Sequence, residues 1–179
     1  MLERSKTVLT VIDFQEKLIP SIHAADDVIA RASTLIRCAL ELGLPILCTE
    51  QYPKGLGHTV GPIAGLLGSC APMAKTSFGC LGDASFADAL RATGRTQVLL
   101  TGVETHVCVL QTALGARALG LDVFVPMDAV GSRATSEHEA GLARMRDAGV
   151  TLVTTEMAVF EMLREAGTPE FKRILPLIK

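Results

Sequence analysis

A chain of 179 residues with a formal net charge of −2 and 49% hydrophobic residues is sized for one domain. A domain of this length buries about 70% of its unfolded surface without covalent staples. Six Phe and one Tyr are the only aromatics, so the core rests on Leu, Val, Ile, Ala and Met, a composition suited to a parallel sheet wrapped by helices. Charges of both signs are interspersed, leaving no basic stripe for nucleic acid and no acidic tail. The opening M-L-E-R-S-K lacks a long apolar signal region, and no apolar run approaches the roughly 18 residues that cross a bilayer. The expectation is a cytoplasmic protein with no membrane partner. Five cysteines, Cys38, Cys48, Cys70, Cys80 and Cys108, are odd in number and share no short paired spacing, which indicates neither a disulfide framework nor a zinc ribbon.

Lys6 to Ile12 is a β-rich run that ends at Asp13. This Asp stands at the carboxyl edge of a first parallel strand, where open α/β sheets hold ligands, although Asp there also serves as an ordinary turn residue. Asp26 or Asp27 is expected to cap a helix whose Val28, Ile29, Ala32, Leu35, Ile36 and Ala39 repeat at three and four residues, with Gly43 closing it and Cys38 packed within. Leu44 to Thr49 reads as a second strand, with Pro45 near its start and Cys48 in the core. Glu50 to Ala74 is weakly patterned, and its length marks it as a pocket-lining loop. Gly55 and Gly57 there are turn residues, since no phosphate-cradling glycine motif is present, and His58 reads as a surface histidine. Lys75, in P-M-A-K-T-S-F, is flanked by small and apolar residues. Such a lysine either snorkels to solvent or supplies a fixed charge in a cavity.

Asp83 to Thr93 reads as a helix closed by Gly94, and Gln97 to Leu100 as a buried strand. The stretch T-G-V-E-T-H-V-C-V-L-Q-T-A-L-G-A follows, with Val107, Leu110, Leu114 and Ala118 on one helical face. With Thr105 as N-cap, Cys108 takes the third helical position, where an unpartnered N–H and the positive end of the dipole favour a thiolate. Cys108 is then either a packing residue or a nucleophile whose pKa falls from ~8.5 toward roughly 3.5–7.5. Leu121 to Pro126 forms the next strand, with Asp128 just beyond it. Thr135 or Ser136 with Glu139 starts a helix in capping-box style, Val150 to Thr154 is the last strand, and Glu156 to Ala166 and Pro169 to Ile178 are helices. This alternation predicts a single-domain, doubly wound (Rossmann-like) α/β fold over residues 1–179, with a mostly parallel sheet of five or six strands and helices on both faces.

Three pieces taken together, V-I-D-F-Q around Asp13, K-T-S-F-G around Lys75 and G-V-E-T-H-V-C-V-L-Q-T-A around Cys108, resemble the isochorismatase-like cysteine hydrolase family. The resemblance implies a triad of Asp13, Lys75 and Cys108 that hydrolyses a C–N bond in a small amide, carbamoyl or ureido compound through an acyl-enzyme. It further implies that Asp13 takes the thiol proton and that Lys75 holds both groups by opposite charge. Backbone N–H groups of Glu104 and Cys108 would form the oxyanion hole, with a cis peptide at Val103/Glu104. Adjacency to these motifs makes Phe14, Tyr52 and Phe78 candidate pocket walls, and Gln15, Gln51 and Thr105 candidate contacts to a substrate.

Nicotinamidase-type members of the family bind a metal through an Asp-x-His pair after the second strand. Here T-E-Q-Y-P-K puts Gln51, Tyr52 and Pro53 in that place, so no metal and no cofactor are expected, as in the less-characterised branch of the family. Family members are usually oligomers, so a homo-oligomer, dimer or larger, acting on a small-molecule substrate is expected. The competing reading is a non-enzymatic scaffold or thiol-based redox binder that keeps the fold. The intact Asp13, Lys75 and Cys108 set favours the enzyme, because a scaffold has no reason to hold a lysine and a carboxylate beside a thiol.

Overall fold

The computed structural model describes residues 1–178. In chain order these form β1 (Thr7–Ile12), α1 (Ala25–Glu41), β2 (Ile46–Gln51), α2 (Pro53–Leu56), α3 (Gly61–Leu67), β3 (Met73–Lys75), α4 (Ala84–Ala92) and β4 (Gln97–Val103). A π-helical turn, Thr105–Val109, runs directly into α5 (Leu110–Ala118), followed by β5 (Asp122–Pro126), β6 (Val130–Gly131), α6 (Thr135–Asp147), β7 (Thr151–Val153), α7 (Thr155–Leu163) and α8 (Pro169–Ile178). No helix among the described residues is long and apolar enough to cross a membrane.

The strands make one parallel sheet in the order β3-β2-β1-β4-β5-β7, with the short β6 added to β4. Alternation along β1 divides the core into two layers. Leu9 and Val11 face α1, α3, α7 and α8 through Leu35, Ile36, Ile63, Val159 and Ile174. Val8 and Ile12 face α4, α5 and α6 through Phe86, Leu90, Ala113 and Met145. Each fully buried aliphatic side chain contributes about 1.5–3 kcal/mol, so sheet and helices stabilise each other from both sides.

The sheet has seven strands rather than five or six. The extra two, β3 and β6, have three and two residues, too short to show a period of their own; they are strands because neighbours pair with them. The segment from Glu50 to Ala74 is not a single loop either, since it holds α2 and α3 and an isolated bridge between Gln15 and Thr59. Asp26 and Asp27 lie inside the first turn of α1, and Ala24, at φ 51°, precedes it. The capping box expected at Thr135 or Ser136 is not formed, because α6 begins one residue early behind Ala134 with no side-chain cap. Asp83 does cap α4, accepting from the Ser85 N–H at 3.0 Å.

Strand order reverses between β1 and β4, and this switch point is where an open parallel sheet leaves a crevice at its carboxyl edge. Gly102 in β4 has φ 142°, and a Cβ there would run into the Ile12 carbonyl oxygen. Glycine thus lets the ends of β1 and β4 close on each other, which brings Asp13 beside the chain that leads to Cys108.

Candidate active site

Asp13 leaves β1 at φ 54°, in the left-handed region. Its carboxylate is fully buried and held at both oxygens: Oδ1 accepts from Thr49 Oγ1 at 2.8 Å and Oδ2 from Lys75 Nζ at 2.7 Å. Thr49 stands opposite Ile12 on the adjacent strand, and Lys75 ends β3 opposite Gln51. The Lys75 ammonium, 2% exposed, also donates to Gln51 Oε1 at 2.6 Å, Phe78 O at 3.0 Å and Ser77 O at 3.2 Å. Two buried opposite charges persist only when such extra bonds offset their desolvation. The snorkelling alternative for Lys75 is therefore excluded.

Cys108 lies against this pair at 6% exposure. Burial first, and then the negative charge of Asp13, push the Cys108 thiol up to about 12; the Lys75 ammonium pulls the other way, while Asp13 as hydrogen-bond acceptor adds to the rise. This runs opposite to the depression expected from a helix start, because burial and the Asp13 carboxylate both disfavour the thiolate. Its position also differs: Glu104 rather than Thr105 precedes the turn, so Cys108 is the fourth residue of it. The turn is π-helical, a form frequent at functional sites. The Glu104 carbonyl accepts from the N–H groups of Val107 at 3.0 Å and Val109 at 3.2 Å, straddling Cys108, and the Val103–Glu104 peptide is cis.

The start of this turn is braced from the segment after β6. Arg133 donates to the Glu104 carboxylate from its main-chain N at 2.9 Å and from Nε at 3.0 Å. The Arg133 side-chain bond is the main cause that holds the Glu104 carboxyl below the usual range. Thr105 Oγ1 meets His138 Nδ1 at 2.9 Å, and His106 Nδ1 meets Ser132 Oγ at 3.0 Å. Burial draws the His138 imidazole below its ordinary pKa. Behind Cys108, Thr112 Oγ1 donates to the Cys108 carbonyl at 2.7 Å and accepts from the Cys80 N–H at 3.0 Å. Cys80 itself approaches Thr49 Oγ1 at 3.8 Å, and burial pushes its thiol up.

Asp13, Lys75 and Cys108 thus come together, with Gln51 and the Glu104 backbone beside them. The other residues expected at the site are placed variously. Phe14 is 1% exposed and packs in the core. The Gln15 amide is engaged by backbone, donating to Gln51 O and Gly57 O and accepting from Gln51 N, which leaves it no donor for a substrate. Gln51 Oε1 holds Lys75, and the Thr105 hydroxyl is buried against His138. Tyr52 and Phe78 are each 54% exposed; Tyr52 lines a cavity of about 330 Å³ with Lys75, Thr76 and Asp83. His58, on the surface, faces Glu50 at 3.2 Å. Sequence reasoning missed Thr49, Thr112 and Arg133. Thr49 was findable as the neighbour of Ile12 once β1 and β2 are paired, whereas Arg133 lies 29 residues from Glu104 with no local pattern joining them.

Fold and site together define a parallel α/β protein with a cysteine, a carboxylate and an ammonium at its topological switch point. The isochorismatase domain matches residues 7–157. Isochorismatase domain-containing protein 2A of Mus musculus is 41% identical over 178 residues, covering 97% of this chain and 82% of that protein. The chain belongs to the isochorismatase family. Among solved structures, the MAR1 ribonuclease from Caenorhabditis elegans superposes with a TM-score of 0.93 at 35% identity, covering 99% of this chain and 91% of that one. The YcaC gene product of Escherichia coli, described as an octameric hydrolase of unknown specificity, superposes with a TM-score of 0.90 at 25% identity, covering 99% and 86%.

Proposed function

We propose that this chain hydrolyses a C–N bond of a small amide, carbamoyl or ureido compound through an acyl intermediate on Cys108. The observation that carries the reading is a buried thiol beside a carboxylate that Lys75 and Thr49 fix at both oxygens, an environment that favours the neutral thiol. A neutral thiol needs a base at the moment of attack, and Asp13 is that base. As the Cys108 Sγ–C bond forms, the thiol proton passes to Asp13 and the carbonyl oxygen becomes an oxyanion. Backbone N–H groups of Glu104 and Cys108 meet that charge, donors worth about 3 kcal/mol each in comparable sites.

Collapse of the tetrahedral species breaks the C–N bond, and Asp13 returns its proton to the leaving amine. Water, deprotonated by Asp13, then attacks the thioester and releases the acid, and the proton goes back to the Cys108 sulfur. Lys75 stays charged throughout and steadies whichever of Asp13 and Cys108 is anionic. Tyr52 and Phe78, exposed near the Lys75 end of the site, supply the apolar surface for the substrate. The residues that follow Thr49 suit a metal-independent reaction without a cofactor, and the interspersed charge suits a small substrate rather than nucleic acid. The octameric Escherichia coli neighbour supports a homo-oligomer of at least two chains.

The test is turnover of a panel of small amides, ureido acids and RNA by the parent and by Cys108→Ala. The reading expects one amide or ureido class to be hydrolysed, with loss of at least about 10³-fold in the variant. RNA cleavage that survives in Cys108→Ala, with every amide inert, would overturn it.

A further inference from the structure

Arg4, Arg95 and Arg164 line one open cavity of about 490 Å³ together with Glu3, Ser5, Leu42, Gly43 and Met162. It lies at the amino edge of the sheet, the end away from Cys108, because Arg4 precedes β1, Gly43 precedes β2 and Arg95 precedes β4. Each guanidinium donates to a backbone carbonyl, Arg4 Nε to Leu42 O at 2.5 Å, Arg164 Nη2 to Leu2 O at 2.9 Å and Arg95 Nη1 to Ser5 O, and Arg164 Nη1 also meets Met1 Sδ at 2.8 Å. A guanidinium has five N–H donors, so one or two such anchors orient the fork and leave further donors for an anion. The nearby carboxylates offset the set only in part. Glu3 is bonded to Lys6 at 2.9 Å, and Glu170 stands 3.8 Å from Arg4 Nη1. Among the lining residues three cations, Arg4, Arg95 and Arg164, stand against one anion, Glu3, which is itself paired with Lys6, a local excess of positive charge on a chain of net charge −2.

A second feature points to the same place. Arg164, which ends α7, has φ 65° and ψ −46°, and the Glu165 N–H donates across it to Leu163 O at 2.7 Å. This is the tight three-residue turn with positive φ, rare and strained for any residue but glycine. Strain of this kind is held by its surroundings, and it marks places where a side chain must be aimed. Here it turns the Arg164 guanidinium back over Leu2 and onto the cavity wall.

We propose that this cavity binds a small anion of charge −2 or more, of the phosphate or polycarboxylate class, at a site separate from Cys108. Paired oxygens on such an anion match the forked donors of the three guanidiniums, and the volume falls within the roughly 300–1,000 Å³ of small-molecule sites. Were the arginines present only to bind backbone carbonyls, no saturable binding would be seen.

The experiment is isothermal titration of the full chain with sodium phosphate and with citrate. Ionic strength is held constant with potassium chloride, so that screening does not differ between arms. The expected result is saturable one-to-one binding of at least one anion, the tighter of the two giving the class. Arg164→Gly weakens it about tenfold or more, the loss expected for one charge-assisted pair, and Arg95→Gln does likewise. Without ligand, Arg164→Gly melts no lower than the parent, because glycine relaxes at this φ. Three results each overturn the proposal: no saturable heat with either anion, unchanged binding in Arg164→Gly, or an Arg164→Gly that loses stability along with binding while Arg95→Gln still binds.

Discussion

Asp13 and Lys75 act on the Cys108 thiol with opposite sign, the carboxylate raising its pKa and the ammonium lowering it. Each can be removed separately and read out through the pH profile of iodoacetamide alkylation. Asp13→Asn is expected to shift the Cys108 profile to lower pH yet abolish turnover, since the thiolate forms more readily but nothing carries protons between sulfur, amine and water. Lys75→Met is expected to shift it to higher pH and to cost about 3–5 kcal/mol of stability, because it leaves a buried carboxylate without its partner. If the two variants moved the profile in the same direction, the electrostatic account of the thiol would be wrong. The three residues were legible in the sequence as motifs. The sign of the thiol's shift was not, because the burial that decides it comes from α4 and α5 packing around Cys80, Val109 and Ala113, contacts that no local pattern records.

The π-helical turn carrying Cys108 is held from two sides, by the β1–β4 approach at Gly102 and by the segment from Ser132 to His138. Gly102→Ala is expected to cost more than about 3 kcal/mol, since its φ of 142° and the Ile12 carbonyl both exclude a Cβ. The Glu104–Arg133 brace gives a pH signature. The folded-state pKa of Glu104 is depressed, so its contribution to stability is complete above the unfolded value of about 4.3 and is lost as pH falls through the folded value. Melting temperatures from pH 7 down to 3 should therefore drop less steeply for Glu104→Gln than for the parent. Identical slopes would remove Glu104 from the acid response. Long elements such as α1, from its three- and four-residue spacing, and α8, with its bounds to the residue, were readable in the sequence. The strands β3 and β6 and the brace were not, because pairing across the sheet and bonds 29 to 33 residues apart create them.

Across the whole molecule, the parallel order with its reversal between β1 and β4 gathers residues from four separate stretches at one edge. The predicted alternation of strands and helices already implied that edge, and Asp13 was placed at it from the sequence. The third member, Lys75, reaches it only because the short β3 pairs with β2. The expected independence from metal is checked by elemental analysis of protein purified without added ions. Less than stoichiometric zinc, iron and manganese, with activity unchanged by chelators, is the expected outcome, because Gln51, Tyr52 and Pro53 offer no imidazole and carboxylate set.

The most direct test of the central claim is intact-mass and peptide mapping of the protein quenched during turnover of an amide or ureido substrate. An added mass equal to the acyl portion of the substrate is expected on the peptide containing Cys108, and it is absent in Cys108→Ala. Steady turnover with no adduct on Cys108, retained in Cys108→Ala, would contradict it.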